Sequence, residues 1–163
     1  DTPGLAPSGA NDTDDFGVFV IRNDDYMWYN NNALTIKNTA YKLQSYLNEK
    51  IEEDYNKPIF ILSHLALNYS MRTYYDGDGQ YASFIFDVLN EASNLGLNII
   101  YLFGHNHSNG WDDYLGGSSV YLTKGDSILI ADNSKEEFSE RILNFTYMNA
   151  GYVGYYGDGN GCF

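Results

Sequence analysis

The chain has 163 residues, of which 44% are hydrophobic and 17% aromatic, so it reads as one domain with a real core rather than as a disordered segment. Its formal net charge of -13, from 22 acidic against 9 basic residues, excludes electrostatic attachment to nucleic acid or to anionic membrane. No apolar run reaches the length of a membrane span, and the single cysteine, Cys162, excludes an internal disulfide framework.

Residues 1–15 hold Pro3, Gly4, Pro7 and Gly9 among small and acidic residues and read as a loop without regular structure. Residues 16–22 are β-rich. Asn23-Asp24-Asp25 then breaks the strand as a turn, and the aromatic segment 26–29 completes a hairpin. Over 34–53, Ile36, Ala40, Leu43, Leu47 and Ile51 mark one face of a helix, with Asn31 or Asn32 as its cap and Lys37, Lys42, Gln44 and Glu49 facing outward.

Pro58 leads into the apolar run Ile59-Phe60-Ile61-Leu62-Ser63-His64, a buried strand ending on a histidine. The loop 65–79 follows, with Asn68, Ser70, Arg72, Tyr74 and Tyr75 as candidates for shaping a substrate entrance. In residues 80–97, Tyr81, Phe84, Ile85, Val88, Leu89, Ala92 and Leu95 recur at helical spacing, and Gly96 supplies the stop. Asn98-Ile99-Ile100-Tyr101-Leu102-Phe103 is a second buried strand, and it runs into Gly104-His105-Asn106-His107. A polar, aromatic loop with Trp111 comes next. Short strands at 118–122 and 127–131, separated by the turn Lys124-Gly125-Asp126, and a strand at 141–148 predict a second sheet packed on the first. Residues 157–161 read as a flexible acidic tail.

All three histidines therefore stand at the carboxyl ends of two strands. A helical crossover joins parallel neighbours, and parallel strands end on one edge, so His64, His105 and His107 are expected to converge although far apart in sequence. Ligands of open α/β sheets bind at that edge. Three imidazoles there suit a metal, and the competing reading is that each is a hydrogen-bonded structural residue.

Gly104-His105-Asn106-His107 after an apolar strand resembles the Gly-His-x-His motif of the calcineurin-like metallophosphoesterases, and Ser63-His64 resembles the single-histidine motif that precedes it. The resemblance implies an α/β fold of two mixed sheets flanked by helices in αββα layers. It also implies two divalent ions, of iron, manganese or zinc, and a phosphate-ester substrate. His64 and His105 would share one ion and His107 would hold its neighbour. Ala66 departs from the family, which often has proline there. The family's Asp-x-His, Gly-Asp and Gly-Asn-His motifs do not occur before His64, and Gly77-Asp78, Gly125-Asp126 and Gly157-Asp158 all follow it. The likeness thus covers roughly residues 16–156 as the C-terminal half of such a domain. The expected partner is the missing N-terminal half, without which the chain is expected to be inactive.

The rival from another class is a non-catalytic surface module, in which Trp28, Trp111 and the tyrosines form a carbohydrate- or protein-binding face. Richness in Tyr, Asn, Asp and Gly resembles bacterial surface and secreted proteins, a likeness of composition that leaves the compartment open. Asp76-Gly77-Asp78-Gly79 is a poor match to a calcium loop because the distal glutamate is replaced by Asp87. Ser63 lacks the glycine-flanked elbow of a hydrolase nucleophile.

Overall fold

The computed structural model describes residues 8–21, 33–64, 66–67, 82–104, 121–131 and 138–150. In chain order these form β1 (Gly9–Ala10), β2 (Gly17–Ile21), α1 (Ala33–Glu52), β3 (Ile59–Ser63), α2 (Ala82–Asn94) and β4 (Ile99–Phe103). They continue with β5 (Tyr121–Leu122), β6 (Ser127–Ala131), β7 (Phe138–Ile142) and β8 (Thr146–Asn149). The architecture is mixed α/β. A six-stranded sheet has the order β1-β2-β3-β4-β8-β5, and β6 and β7 form a separate two-stranded sheet. Neighbours from β2 through β3 and β4 to β8 are parallel, and the outer strands β1 and β5 are antiparallel to theirs.

Strand alternation decides which face is covered. Phe19, Ile61, Tyr101 and Tyr147 lie side by side in register and are all buried. Two successive crossovers of the same hand put both helices on one face, and Tyr46 of α1 meets Phe19 of β2 with ring centroids 5.5 Å apart. Ile36, Ala40, Leu43 and Leu47 of α1 are buried in the same cluster, as the helical spacing predicts, and Ile51 packs on its border. The opposite sheet face carries Val18, Val20, Phe60, Leu62, Ile100, Leu102 and Met148, which remain partly exposed.

Both helices end in the same way. In α1 the amides of Asp54 and Tyr55 return to the carbonyls of Ile51 and Lys50, with Asp54 at a φ of 51°. In α2 the amides of Gly96 and Leu97 return to Ser93 and Ala92, with Gly96 at a φ of 110°. These are Schellman closures, in which a left-handed residue lets the chain turn back over the last carbonyls. Asp tolerates that conformation better than most non-glycine residues.

Several expectations need correction. Residues 1–15 were expected to lack regular structure, but Gly9–Ala10 pair with Phe19 and Val20, because Asn11-to-Phe16 closes as a hairpin with the Thr13 amide donating to the Phe16 carbonyl at 3.0 Å. Leu95, placed on the buried stripe of α2, is 62% exposed. The helix has already ended there, and Leu97 enters the core instead. Phe86, off that stripe, is fully buried because α2 also packs against Phe145, with ring centroids 5.7 Å apart.

The strand expected at 141–148 is two strands in different sheets. The chain leaves β7 at Ile142 and enters β8 at Thr146, and Asn90 of α2 bonds both sides of the break. It donates to the Ile142 carbonyl at 3.1 Å and accepts from the Asn144 amide at 2.7 Å. β5 and β6, which flank the expected turn at Gly125, do not pair with each other, since β5 joins β8 and β6 joins β7. The second sheet is anchored on α2 by these bonds and by an ion pair between Arg141 and Asp87. The turn and strand expected at 23–29, the caps Asn31 and Asn32, residues 118–120 and the tail at 157–161 lie outside the described residues.

Candidate metal centre

β3 and β4 run parallel and in register from Ile59 opposite Ile99 to Leu62 opposite Leu102. Their continuation past the last paired residues is fixed by one more backbone bond: the Gly104 amide donates to the His64 carbonyl at 3.2 Å. His64, half-buried, therefore stands level with the residue that immediately precedes His105. β8 ends on the same edge, with Asn149 opposite Phe103 and the Ala150 amide donating to the Phe103 carbonyl at 2.7 Å. The parallel pairing expected from the strand-helix-strand pattern is present, and it brings His64 level with Gly104. His105 and His107 themselves lie outside the described residues, as do Asn68, Ser70, Arg72, Tyr74, Tyr75, Trp28, Trp111, the segment 76–79 and Cys162.

The floor beneath this edge is aromatic. Tyr101 and Tyr147 stack with centroids 5.5 Å apart and planes at 20°, and Phe103 lies over Tyr147 at 4.6 Å and 24°. Tyr101 is hydrogen-bonded to Ser63, the residue before His64. Burial pushes the Tyr101 hydroxyl well above its ordinary pKa, and the Ser63 bond pulls weakly the other way. The Tyr147 hydroxyl accepts from the Leu67 amide at 2.8 Å, three residues after His64, and Ala66 and Leu67 are both buried. Sequence reading found the strands but not these bonds, nor Asn149 as a polar group on the edge. The available signal was that Asn149 directly follows the β-rich run 141–148.

Does the donor set suit a metal? His64 is an imidazole at the end of a rigid parallel strand, which fits one ligand position. Among the described residues no three His, Cys, Asp or Glu side chains cluster, so the remaining ligands would come from other residues. Among the described residues, too, no helix is long and apolar enough to cross a membrane.

A second polar cluster lies at the opposite end of the sheet. Asp12 accepts from the Tyr46 hydroxyl at 2.6 Å and from the Val18 amide at 3.0 Å, and pairs with Lys50 at 3.0 Å. Burial works against ionisation of Asp12, but the bonds from Tyr46, Lys50 and Val18 and the charge of Lys50 outweigh it and hold the carboxyl below its usual range. Lys50 in turn pairs with Glu53 at 2.9 Å and lies over the Tyr55 ring, 4.9 Å from its centroid. Tyr46, Val18 and Lys50 are structural groups, so among the described residues the cluster ties the hairpin to α1.

Comparison with family models, curated proteins and solved structures finds no match to this chain.

Proposed function

We propose that this chain is the histidine-bearing part of a calcineurin-like metallophosphoesterase, acting on phosphate esters. The observation that supports the reading is the bond from the Gly104 amide to the His64 carbonyl, which sets the two histidine-ended strands level at one edge. In this reading His64 and His105 hold one divalent ion and His107 holds its neighbour, with iron, manganese and zinc all suited to imidazole and carboxylate ligands. Bound ions would supply Lewis acidity there, activating water near neutral pH and offsetting charge on the phosphoryl oxygens. The chain's own part is to present imidazole ligands, with His64 standing just past the end of β3. Three neutral histidines divided between two ions do not neutralise the charge of such a centre. The bridging carboxylate, the asparagine ligand and the leaving-group acid are therefore assigned to a segment ahead of these residues in the whole protein. The partly exposed face of Val18, Phe60, Leu62 and Ile100 supports a sandwich in which a further sheet covers it.

Elemental analysis and hydrolysis of a chromogenic aryl phosphate ester test the reading. A protein with Asp-x-His, Gly-Asp and Gly-Asn-His segments ahead of residue 1 should bind two ions. His107→Ala should deplete one of them and His64→Ala or His105→Ala the other, each lowering turnover by at least about tenfold. The 163-residue chain alone should bind metal weakly and hydrolyse nothing. Full activity in all three variants overturns the assignment.

A further inference from the structure

Two tyrosines occupy core positions where a phenylalanine would fill the same space. Tyr101 and Tyr147 are both fully buried and sit in a stack with Phe103, which does the same packing without a hydroxyl. A buried hydroxyl is costly unless it is bonded, so the partners of these two show what the oxygen adds. Tyr101, on the strand next to β3, bonds Ser63. Tyr147, two strands away, takes the Leu67 amide at 2.8 Å. Between them the His64 carbonyl accepts from Gly104 at 3.2 Å. Residues 63, 64 and 67 are thus each held by a strand other than their own, and the histidine stands inside the tethered stretch.

We infer that Tyr101 and Tyr147 are positioning residues, whose hydroxyls pin the chain on either side of His64 and so fix where its imidazole stands. The inference rests on the reading of His64 as a metal ligand. A ligand's affinity depends on being held before the ion arrives, and groups that orient a ligand commonly matter about tenfold or more to binding. The stack makes the tether stiff, because neither ring can tilt its hydroxyl away without unstacking from its neighbours.

Tyr147→Phe and Tyr101→Phe in the 163-residue chain keep the rings and remove only the oxygens. Amide hydrogen exchange at Leu67 and Zn2+ titration followed on the His64 ring resonances give separate readouts. Tyr147→Phe is expected to speed exchange at Leu67 and to weaken Zn2+ binding at His64 by about tenfold, with Tyr101→Phe acting on binding in the same direction. Tyr46→Phe is the control, since it removes a bonded hydroxyl at the far end of the sheet. It should lower the melting temperature and leave Zn2+ affinity as it was. Parent-like affinity in both edge variants, or unchanged exchange at Leu67 in Tyr147→Phe, overturns the positioning role while the ligand reading stands. A parent chain whose His64 resonances ignore Zn2+ overturns the ligand reading and the role built on it, and exchange at Leu67 then still reports whether the tether itself exists.

Discussion

The Tyr46 hydroxyl donates to Asp12 at 2.6 Å, joining the second half of α1 to the hairpin that opens the sheet. Nothing local holds these two residues together. The bond exists because β1 and β2 bring the turn beneath the helix.

The acid limb of stability should depend on this contact. Asp12 has a folded pKa below its usual value of 3.8, so its contribution is present above that value and is lost as pH falls through the folded pKa. Tyr46 is shifted up by burial first and by Asp12 next, so its contribution is full below about pH 10 and is lost as pH rises further. Melting temperature recorded from pH 2 to 11 should show a plateau with both limbs. Asp12→Asn should flatten the acid limb, and an unchanged limb would remove Asp12 from the account.

Gly17 should not tolerate even a methyl group. A Cβ there would clash with the Tyr46 hydroxyl and stand 3.2 Å from Ile59, so the tyrosine would have to leave Asp12. Gly17→Ala is expected to cost about 1–3 kcal/mol in chemical denaturation, as overpacking does. Combined with Tyr46→Phe, which removes the clashing oxygen, it should cost less than the sum of the two. Strict additivity would show that the clash is relieved in some other way.

Asn90 should matter more than its half-exposed position on a helix suggests. It bonds the Ile142 carbonyl and the Asn144 amide at once, where the chain passes from one sheet to the other. Asn90→Ala is expected to destabilise by about 1–3 kcal/mol and to speed exchange of the Asn144 amide. Asn90→Asp keeps the acceptor and should retain that protection while losing the bond to Ile142. Equal protection of Asn144 in the alanine variant would assign the break to something other than this side chain.

The parts legible in the sequence were those with a strong period. α1, β3, α2 and β4 were readable from apolar spacing, and Gly96 from the conformation a helix end requires. β1 was not, since Gly9–Ala10 has no side-chain pattern and is placed by backbone bonds to β2. The split between β7 and β8 was hidden because residues 138–149 stay β-like throughout, and what divides them is a side chain from α2. At the candidate site, the strand order could be argued from the crossover and the level of His64 with Gly104 follows from it. The bonds of Tyr101 and Tyr147 could not, because their partners are set by register across three strands.

The outermost described strands of the large sheet, β1 and β5, have two residues each, and both run against their neighbours. A strand so short offers few free amides and carbonyls, so it is a poor template for recruiting an extended segment from another chain. The long parallel strands, whose unpaired borders would template well, are kept inside. Edge-to-edge pairing is thereby discouraged at both described margins of the large sheet, whereas β6 and β7, five residues each and paired with one another, present longer borders among the described residues.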